Sequence, residues 1–288
     1  MNNKQIKFLE SESNLLVKKL KNNSLKKYKK ILIVGSSGLI GLNLVFNLIL
    51  LKNKYNYNYE LTLITKNKIN KSLLNYYKKN KIKFIKKDIT DKKFSLNLMY
   101  DLIFFSAGYA SPKIFVKKNK ETLLVHSLGL MNVSKYLIKK GLLIYFSSSE
   151  IYNGLNKNFV ENRSGNTNFD DIRAPYINGK KFGETYCHIL NQMGYNIKIL
   201  RISLTYGPGA SLNDNRVLNE MIINGLKTKK IQLLDQGKSV RKYLYINDCI
   251  ELIFNISKKS NKIIYNISGN SKLTIRDLAK IICKKTNS

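Results

Sequence analysis

The chain has 288 residues, 43% of them hydrophobic, which is enough to bury a substantial core and excludes a disordered or fibrous class. Its formal charge is +33, from 51 Lys and Arg against 18 Asp and Glu. The lysines are spread along the whole chain and accompany abundant Asn, Ile and Tyr, so compositional drift accounts for them better than a nucleic-acid partner, whose phosphates call for clustered cations. The basic surface that remains suits anionic substrates such as nucleotides.

Cys187, Cys249 and Cys283 are widely separated and lack metal spacing, so they read as reduced structural residues of a cytosolic protein. His126 and His188 have no carboxylate or thiol neighbours at ligand spacing, so neither a metal site nor a Ser-His-Asp triad is expected. The amino terminus is polar and charged, unlike a signal peptide. The apolar run from Leu39 to Leu51 is too short to span a bilayer and carries Asn43 and Asn47. The expectation is a cytoplasmic protein with no membrane and no nucleic-acid partner.

In chain order, residues 1–29 form a lysine-rich leader of one helix and a basic link, either packed on the body or partly mobile. From Ile31 onwards apolar runs at 31–34, 61–64, 82–85, 102–105, 142–146 and 197–202 alternate with helical segments near 39–51, 70–79, 120–140 and 175–193. Continuous apolar strands separated by helices predict a parallel sheet covered on both faces, a doubly wound α/β domain of Rossmann type over 30–205. Beyond it, 206–288 reads as mainly a smaller carboxyl-terminal substrate lobe with returns to the main sheet. It has a turn at Tyr206-Gly207-Pro208-Gly209, helices over 215–228, 247–258 and 273–285, and strands over 231–234, 243–246 and 262–267. Pro112, Pro175 and Pro208 each mark a turn or helix start.

Gly35-x-x-Gly38-x-x-Gly41 follows the strand Ile31-Leu-Ile-Val34 and opens an apolar helix. The glycines permit a tight turn and close backbone approach, and the helix amino terminus at Leu39, Ile40 and Gly41 faces a dinucleotide pyrophosphate. The second strand ends in Thr65-Lys66-Asn67-Lys68 rather than in the acid that binds the ribose of NAD, which favours NADP. Asp88, after the third strand, is placed either to contact the adenine or to cap the next segment. Tyr176 and Lys180 lie four apart on one helix face, so the ammonium can sit beside the phenol and lower its pKa from about 10 toward neutrality, as a base requires. A serine of the Ser147-Ser148-Ser149 run at a strand end can hold the same substrate oxygen.

Together Gly35-x-x-Gly38-x-x-Gly41, Ser147-Ser-Ser-Glu-Ile-Tyr152 and Tyr176-x-x-x-Lys180 resemble the extended short-chain dehydrogenase/reductase family, the nucleotide-sugar epimerases and dehydratases, from about residue 30 to the end. Ala110-Ser111-Pro112, Ser148-Ser-Glu150-Ile-Tyr152, Arg173-Ala-Pro-Tyr176, Gly179-Lys180-Lys-Phe-Gly-Glu184, Tyr206-Gly-Pro208, Arg216-Val217 and Arg241 before Tyr245 and Asp248 resemble its UDP-glucuronate decarboxylase branch. The resemblance implies transient oxidation of a nucleotide sugar. In that cycle Tyr176, helped by Lys180 and Ser148, takes the proton of the 4-hydroxyl while a bound nicotinamide receives the C4 hydride, and the 4-ketone then permits loss of a 5-carboxylate, elimination or epimerisation. A cycle without net redox change implies NAD, ranked ahead of NADP despite Thr65. Ser149-Glu150, where dehydratases carry Asp-Glu, keeps one carboxylate and matches the decarboxylase pattern. Ser111, Arg216 and Arg241 are implied substrate contacts, Arg241 as a clamp on the diphosphate. A homodimer through 120–140 and 175–193 is implied as well.

Departures accompany the matches. Leu204 stands where the family has a substrate-contacting asparagine, and His126 stands where an asparagine lies beneath the cofactor site. The resemblance also implies several dozen residues beyond the last helix, with an arginine-proline segment, where this sequence ends at Ser288. A short member with a changed substrate, or one completed by a partner, is the corresponding expectation. Two other readings remain open: an NADPH-dependent 4-ketosugar reductase, and a non-catalytic dinucleotide-binding protein.

Overall fold

In the computed structural model, which describes residues 1–21, 24–211, 214–258 and 262–288, the apolar runs become strands of one sheet. In chain order the first elements are α1 (Asn3–Leu20), β1 (Lys30–Val34), α2 (Leu39–Tyr55), β2 (Glu60–Thr65), α3 (Lys71–Lys79), β3 (Lys83–Lys86), β4 (Tyr100–Phe105), α4 (Pro112–Lys117), α5 (Asn119–Leu124) and α6 (Leu130–Ser134). They are followed by β5 (Leu137–Ser148), α7 (Ala174–Gln192), β6 (Asn196–Ile202), β7 (Leu204–Tyr206), α8 (Val217–Lys227), β8 (Val240–Arg241), β9 (Tyr243–Tyr245), α9 (Ile246–Ile256), β10 (Ile264–Ile267), β11 (Leu273–Thr274) and α10 (Ile275–Thr286). The sheet has seven strands in the order β10-β6-β5-β4-β1-β2-β3, all paired in parallel. The order reverses between β1 and β4, so the carboxyl ends of these strands flank the crevice where ligands bind in doubly wound sheets. Leu32, Ile33, Ile103 and Phe104 are fully buried, as strands covered on both faces must be.

The leader is part of this body. Ile6, Leu9, Leu16, Val17 and Leu20 recur at helical spacing along α1 and are buried, joining the cluster that includes α2 and α9. Each such side chain contributes about 1.5–3 kcal/mol when buried, which holds the helix in place. A second helix on its outer side also explains why α2 is apolar all round, with every residue from Gly41 to Leu51 buried. The two asparagines in that run serve as ties: Asn47 Nδ2 donates to Ser13 Oγ of α1, and Asn43 Nδ2 donates to the carbonyl of Pro208. Glu12 accepts a hydrogen bond from Tyr245 Oη at 2.6 Å, joining α1 to β9. Residues 22 and 23 of the basic link lie outside the described residues.

Two expected elements differ. The helix over 120–140 is α5, a π-helical turn at Val125–Gly129 and α6, and it stops at Ser134. Leu137 instead pairs with Tyr100 and buries in the core, so strand pairing takes the residues that helical periodicity claimed. Residues 231–234 form no strand: Ile231 and Leu233 pack against the cluster of Leu218, Met221, Tyr243 and Ile282 while Leu234 is exposed, and among the described residues no strand pairs with them. Among the described residues no helix is long and apolar enough to cross a membrane, and no group of three or more His, Cys, Asp or Glu could hold a metal ion.

Candidate active site

The turn between β1 and α2 is set by two of its three glycines. Gly35 has φ +86°, and a Cβ there would lie 2.6 Å from the Ala107 nitrogen at the end of β4, while a Cβ on Gly41 would run into the Gly35 carbonyl. Gly38 is different. It is exposed, and a Cβ there would meet only the Gly35 carbonyl at 3.6 Å, an ordinary contact. The protein's own packing leaves Gly38 free, as expected where an outside group approaches the backbone. Gly38 also caps α2 without a side-chain hydrogen bond, so the first N–H groups of the helix, at Leu39, Ile40 and Gly41, lack a side-chain acceptor. This cradle fits a pyrophosphate.

At the far end of the turn, Ser37 Oγ and Thr65 Oγ1 are 2.8 Å apart and hydrogen-bonded, and Lys66 Nζ pairs with Asp88 Oδ2 at 2.7 Å. Asp88 Oδ1 also accepts from the nitrogen and hydroxyl of Thr90, so Asp88 caps its own loop as well as facing this end.

At the carboxyl end of β5, Ser148 meets Tyr176 from the first turn of α7. The Ser148 hydroxyl lies close enough to the phenol to draw its pKa down, and the Ser148 oxygen also accepts from the Glu150 nitrogen at 3.2 Å. Phe115 of α4 stacks on the Tyr176 ring at 4.4 Å and 10°, and His126 meets it edge-on at 6.2 Å, which fixes the ring. Glu150 Oε2 pairs with Arg173 Nη2 at 2.8 Å, and the Arg173 guanidinium lies over Phe115 with its Nε buried and unpartnered. Sequence reasoning did not single out Arg173, although its place in the Arg-Ala-Pro-Tyr176 match was the available signal.

The acidities differ from the sequence expectation. Burial pushes the Tyr176 phenol up to about 12; the Ser148 hydroxyl, Arg173 and Arg216 pull it down, while Glu150 opposes them. Lys180 does not sit as a bare ammonium against the phenol oxygen. Its Nζ donates to the Phe146 carbonyl at 2.5 Å and stands 5.8 Å from the Tyr176 ring centre, and burial lowers its pKa to about 7, with Glu184 resisting. Desolvation therefore outweighs the pairing that the four-residue spacing suggested. His126, in the π-helical turn, is fully buried with both ring nitrogens unpartnered, held well below its usual pKa by burial and then by the Lys180 charge.

Behind Ser148 lies a buried network. Ser147 Oγ donates to Glu184 at 2.5 Å, Arg201 forks onto the same carboxylate at 2.9 and 2.7 Å, and Arg201 also donates to Tyr152 Oη. A cavity of about 820 Å³ shares Glu184 and Arg201 with this network and is lined by none of Ser148, Tyr176 and Lys180, so its size alone does not mark the chemistry.

The expected substrate contacts are dispersed. Ser111 begins α4, buried, with its hydroxyl unpartnered. Arg216 is forked onto Asp214 at 2.8 and 2.6 Å and reaches the phenol only through its charge. Arg241 is exposed on the β8–β11 ribbon, donating to the Val240 carbonyl. Leu204 packs against the apolar cluster of Leu218, Met221, Tyr243 and Ile282.

A family model described as the NAD dependent epimerase/dehydratase family matches residues 31–268. UDP-glucuronic acid decarboxylase 6 of Arabidopsis thaliana is 28% identical over 260 residues, covering 88% of this chain and 73% of its own length. UDP-glucuronic acid decarboxylase 1 of Xenopus tropicalis is 25% identical over 264 residues, and the chain spans 60% of that relative. The structure of UDP-glucuronic acid 4-epimerase from Bacillus cereus, in complex with UDP-glucuronic acid and NAD, superposes with a TM-score of 0.70 at 22% identity, covering 90% of this chain and 83% of that one. With a strand-turn-helix cradle, a seven-stranded parallel sheet and a Ser-Tyr-Lys group at its carboxyl edge, the chain belongs to the NAD-dependent epimerase/dehydratase family of enzymes.

Proposed function

We propose that the protein modifies a nucleotide sugar by transient oxidation at C4, and that its substrate is a nucleotide-linked sugar acid which it decarboxylates. The observation that carries this reading is the placement of one ion-paired carboxylate and guanidinium, Glu150 and Arg173, whose charges act on the Tyr176 phenol beside Ser148. An oxidised nicotinamide, its pyrophosphate held at the N–H groups of Leu39, Ile40 and Gly41, would supply the hydride acceptor. Ser148 and Tyr176 hold the sugar 4-hydroxyl between them, and Tyr176 takes its proton. The phenol, at about 12, must lose its own proton before it can take that one; Ser148, Arg173 and Arg216 draw it down, and the positive ring of an oxidised nicotinamide bound beside it would draw it further. Arg173 fixes Glu150, and its unpartnered buried Nε is a donor for an anionic sugar substituent. Residues 206–288 serve as the substrate lobe, with Ser111 and Arg241 as contacts to sugar and diphosphate.

Mass spectrometry of UDP-glucuronate incubated with the purified protein and NAD tests this. Loss of carbon dioxide supports it, whereas loss of water, an epimer of equal mass, or gain of two hydrogens from added NADPH moves the activity to another branch. Reduction is the second reading, favoured by the absence of an acid at the end of β2. We also propose a homodimer through α5, α6 and α7, where Leu123, Met131, Phe182 and Ile189 are exposed. Sedimentation of the wild type beside Leu123→Lys/Phe182→Lys should give a dimer and a monomer.

A further inference from the structure

The ribose end of the dinucleotide cradle has an unusual charge pattern for a family described as NAD-dependent. An acid at the end of the second strand would accept from both adenosine ribose hydroxyls and repel a phosphate on either. Here that place is Thr65, buried, neutral and hydrogen-bonded to Ser37 Oγ and to the Asn67 nitrogen. Its position is fixed against the cradle, because the Gly35 nitrogen donates to the Ile64 carbonyl at 2.8 Å. One residue on, Lys66 is exposed, and its Nζ pairs with Asp88 Oδ2. We propose that this end admits a dinucleotide phosphorylated on the adenosine 2′-hydroxyl, and that Lys66 exchanges Asp88 for that phosphate. The proposal rests on the dinucleotide reading of the glycine turn and adds to it which ribose the site accepts.

Three features make the exchange feasible. The lysine side chain is 57% exposed and its partner 33%, and ion pairs at such exposure are weak, so little opposes their separation. Asp88 does not depend on Lys66 for its place, because Thr90 holds its other oxygen through two hydrogen bonds, at 3.0 and 2.7 Å. A phosphate dianion offers the ammonium more charge and more acceptor oxygens than one carboxylate does. The hydroxyls of Ser37 and Thr65, 2.8 Å apart, can turn their protons to the same phosphate. Nothing in the pattern excludes NAD, whose ribose hydroxyls meet the same two side chains.

Isothermal titration of the intact protein with NAD, NADP, adenosine 5′-monophosphate and adenosine 2′,5′-diphosphate tests the inference without requiring turnover. The expected result is NADP affinity within about tenfold of NAD, or tighter, with a preference for the diphosphate over the monophosphate that fades as salt rises. Lys66→Gln should weaken NADP about tenfold while changing NAD less than about twofold. Thr65→Asp should exclude NADP and retain NAD, locating the discrimination at this end. NADP weaker than NAD by more than about a hundredfold, or an equal effect of Lys66→Gln on both, overturns the inference and leaves the dinucleotide reading intact. Failure of every nucleotide to bind overturns both.

Discussion

Replacing Lys180 by methionine should stabilise the fold while it removes the chemistry. The lysine has a pKa of about 7 in the folded chain against 10.5 as its ordinary value, and burial is the first cause. Between those values the unfolded chain holds a proton that the folded chain gives up, so wild-type stability rises with pH across that window and is lowest below it. A shift of this size amounts to about 5 kcal/mol of destabilisation when the lysine is fully charged. Methionine removes that cost and leaves the Phe146 carbonyl without its donor, a loss of about 1–3 kcal/mol. The net expectation is a gain of about 2–4 kcal/mol below pH 7. Urea unfolding of both proteins at pH 7 and pH 9 isolates the lysine, because other titrating groups cancel in the difference. The advantage of Lys180→Met should shrink by about 2 kcal/mol between the two conditions. A difference that does not change with pH would refute the argument that desolvation governs this residue.

Other substitutions separate fold from binding. Gly41→Ala should disrupt the turn, since its Cβ meets the Gly35 carbonyl, whereas Gly38→Ala should fold normally and lose dinucleotide affinity; thermal melts with and without NAD distinguish them. Glu184→Ala should cost about 3–5 kcal/mol in chemical denaturation, because it leaves the Arg201 side chain, 5% exposed, as an uncompensated buried charge. Equal stability of this variant and the wild type would mean that solvent reaches the pair.

The sheet and the cradle were legible because each is local. Ile31 to Val34 is an apolar run closed by Gly35, and no other element competes for it. Where an element depends on a distant partner, legibility fails. Leu137 belongs to a strand only because Tyr100 is beside it, and among the described residues no strand pairs with 231–234. The family motifs brought Ser148, Glu150, Tyr176 and Lys180 to one strand end, but spacing alone could not weigh desolvation against pairing, so Lys180 was expected to lower the phenol that burial in fact raises. Asn43 and Asn47 looked like interruptions of an apolar helix until α1 and Pro208 supplied their partners. The Ser147–Glu184–Arg201 network joins residues 37 and 17 apart in sequence and has no periodic signature at all.

In the proposed function, Tyr176 opens a cycle of oxidation and return on a nucleotide sugar. Rapid mixing of the NAD-loaded protein with UDP-glucuronate, followed by the absorbance of the reduced nicotinamide, tests it most directly. The wild type should show a transient rise and decay, slowed by about 10²–10⁴ in Tyr176→Phe, which still binds NAD. Turnover with no reduced nicotinamide at any time, or an undiminished transient in Tyr176→Phe, would contradict it.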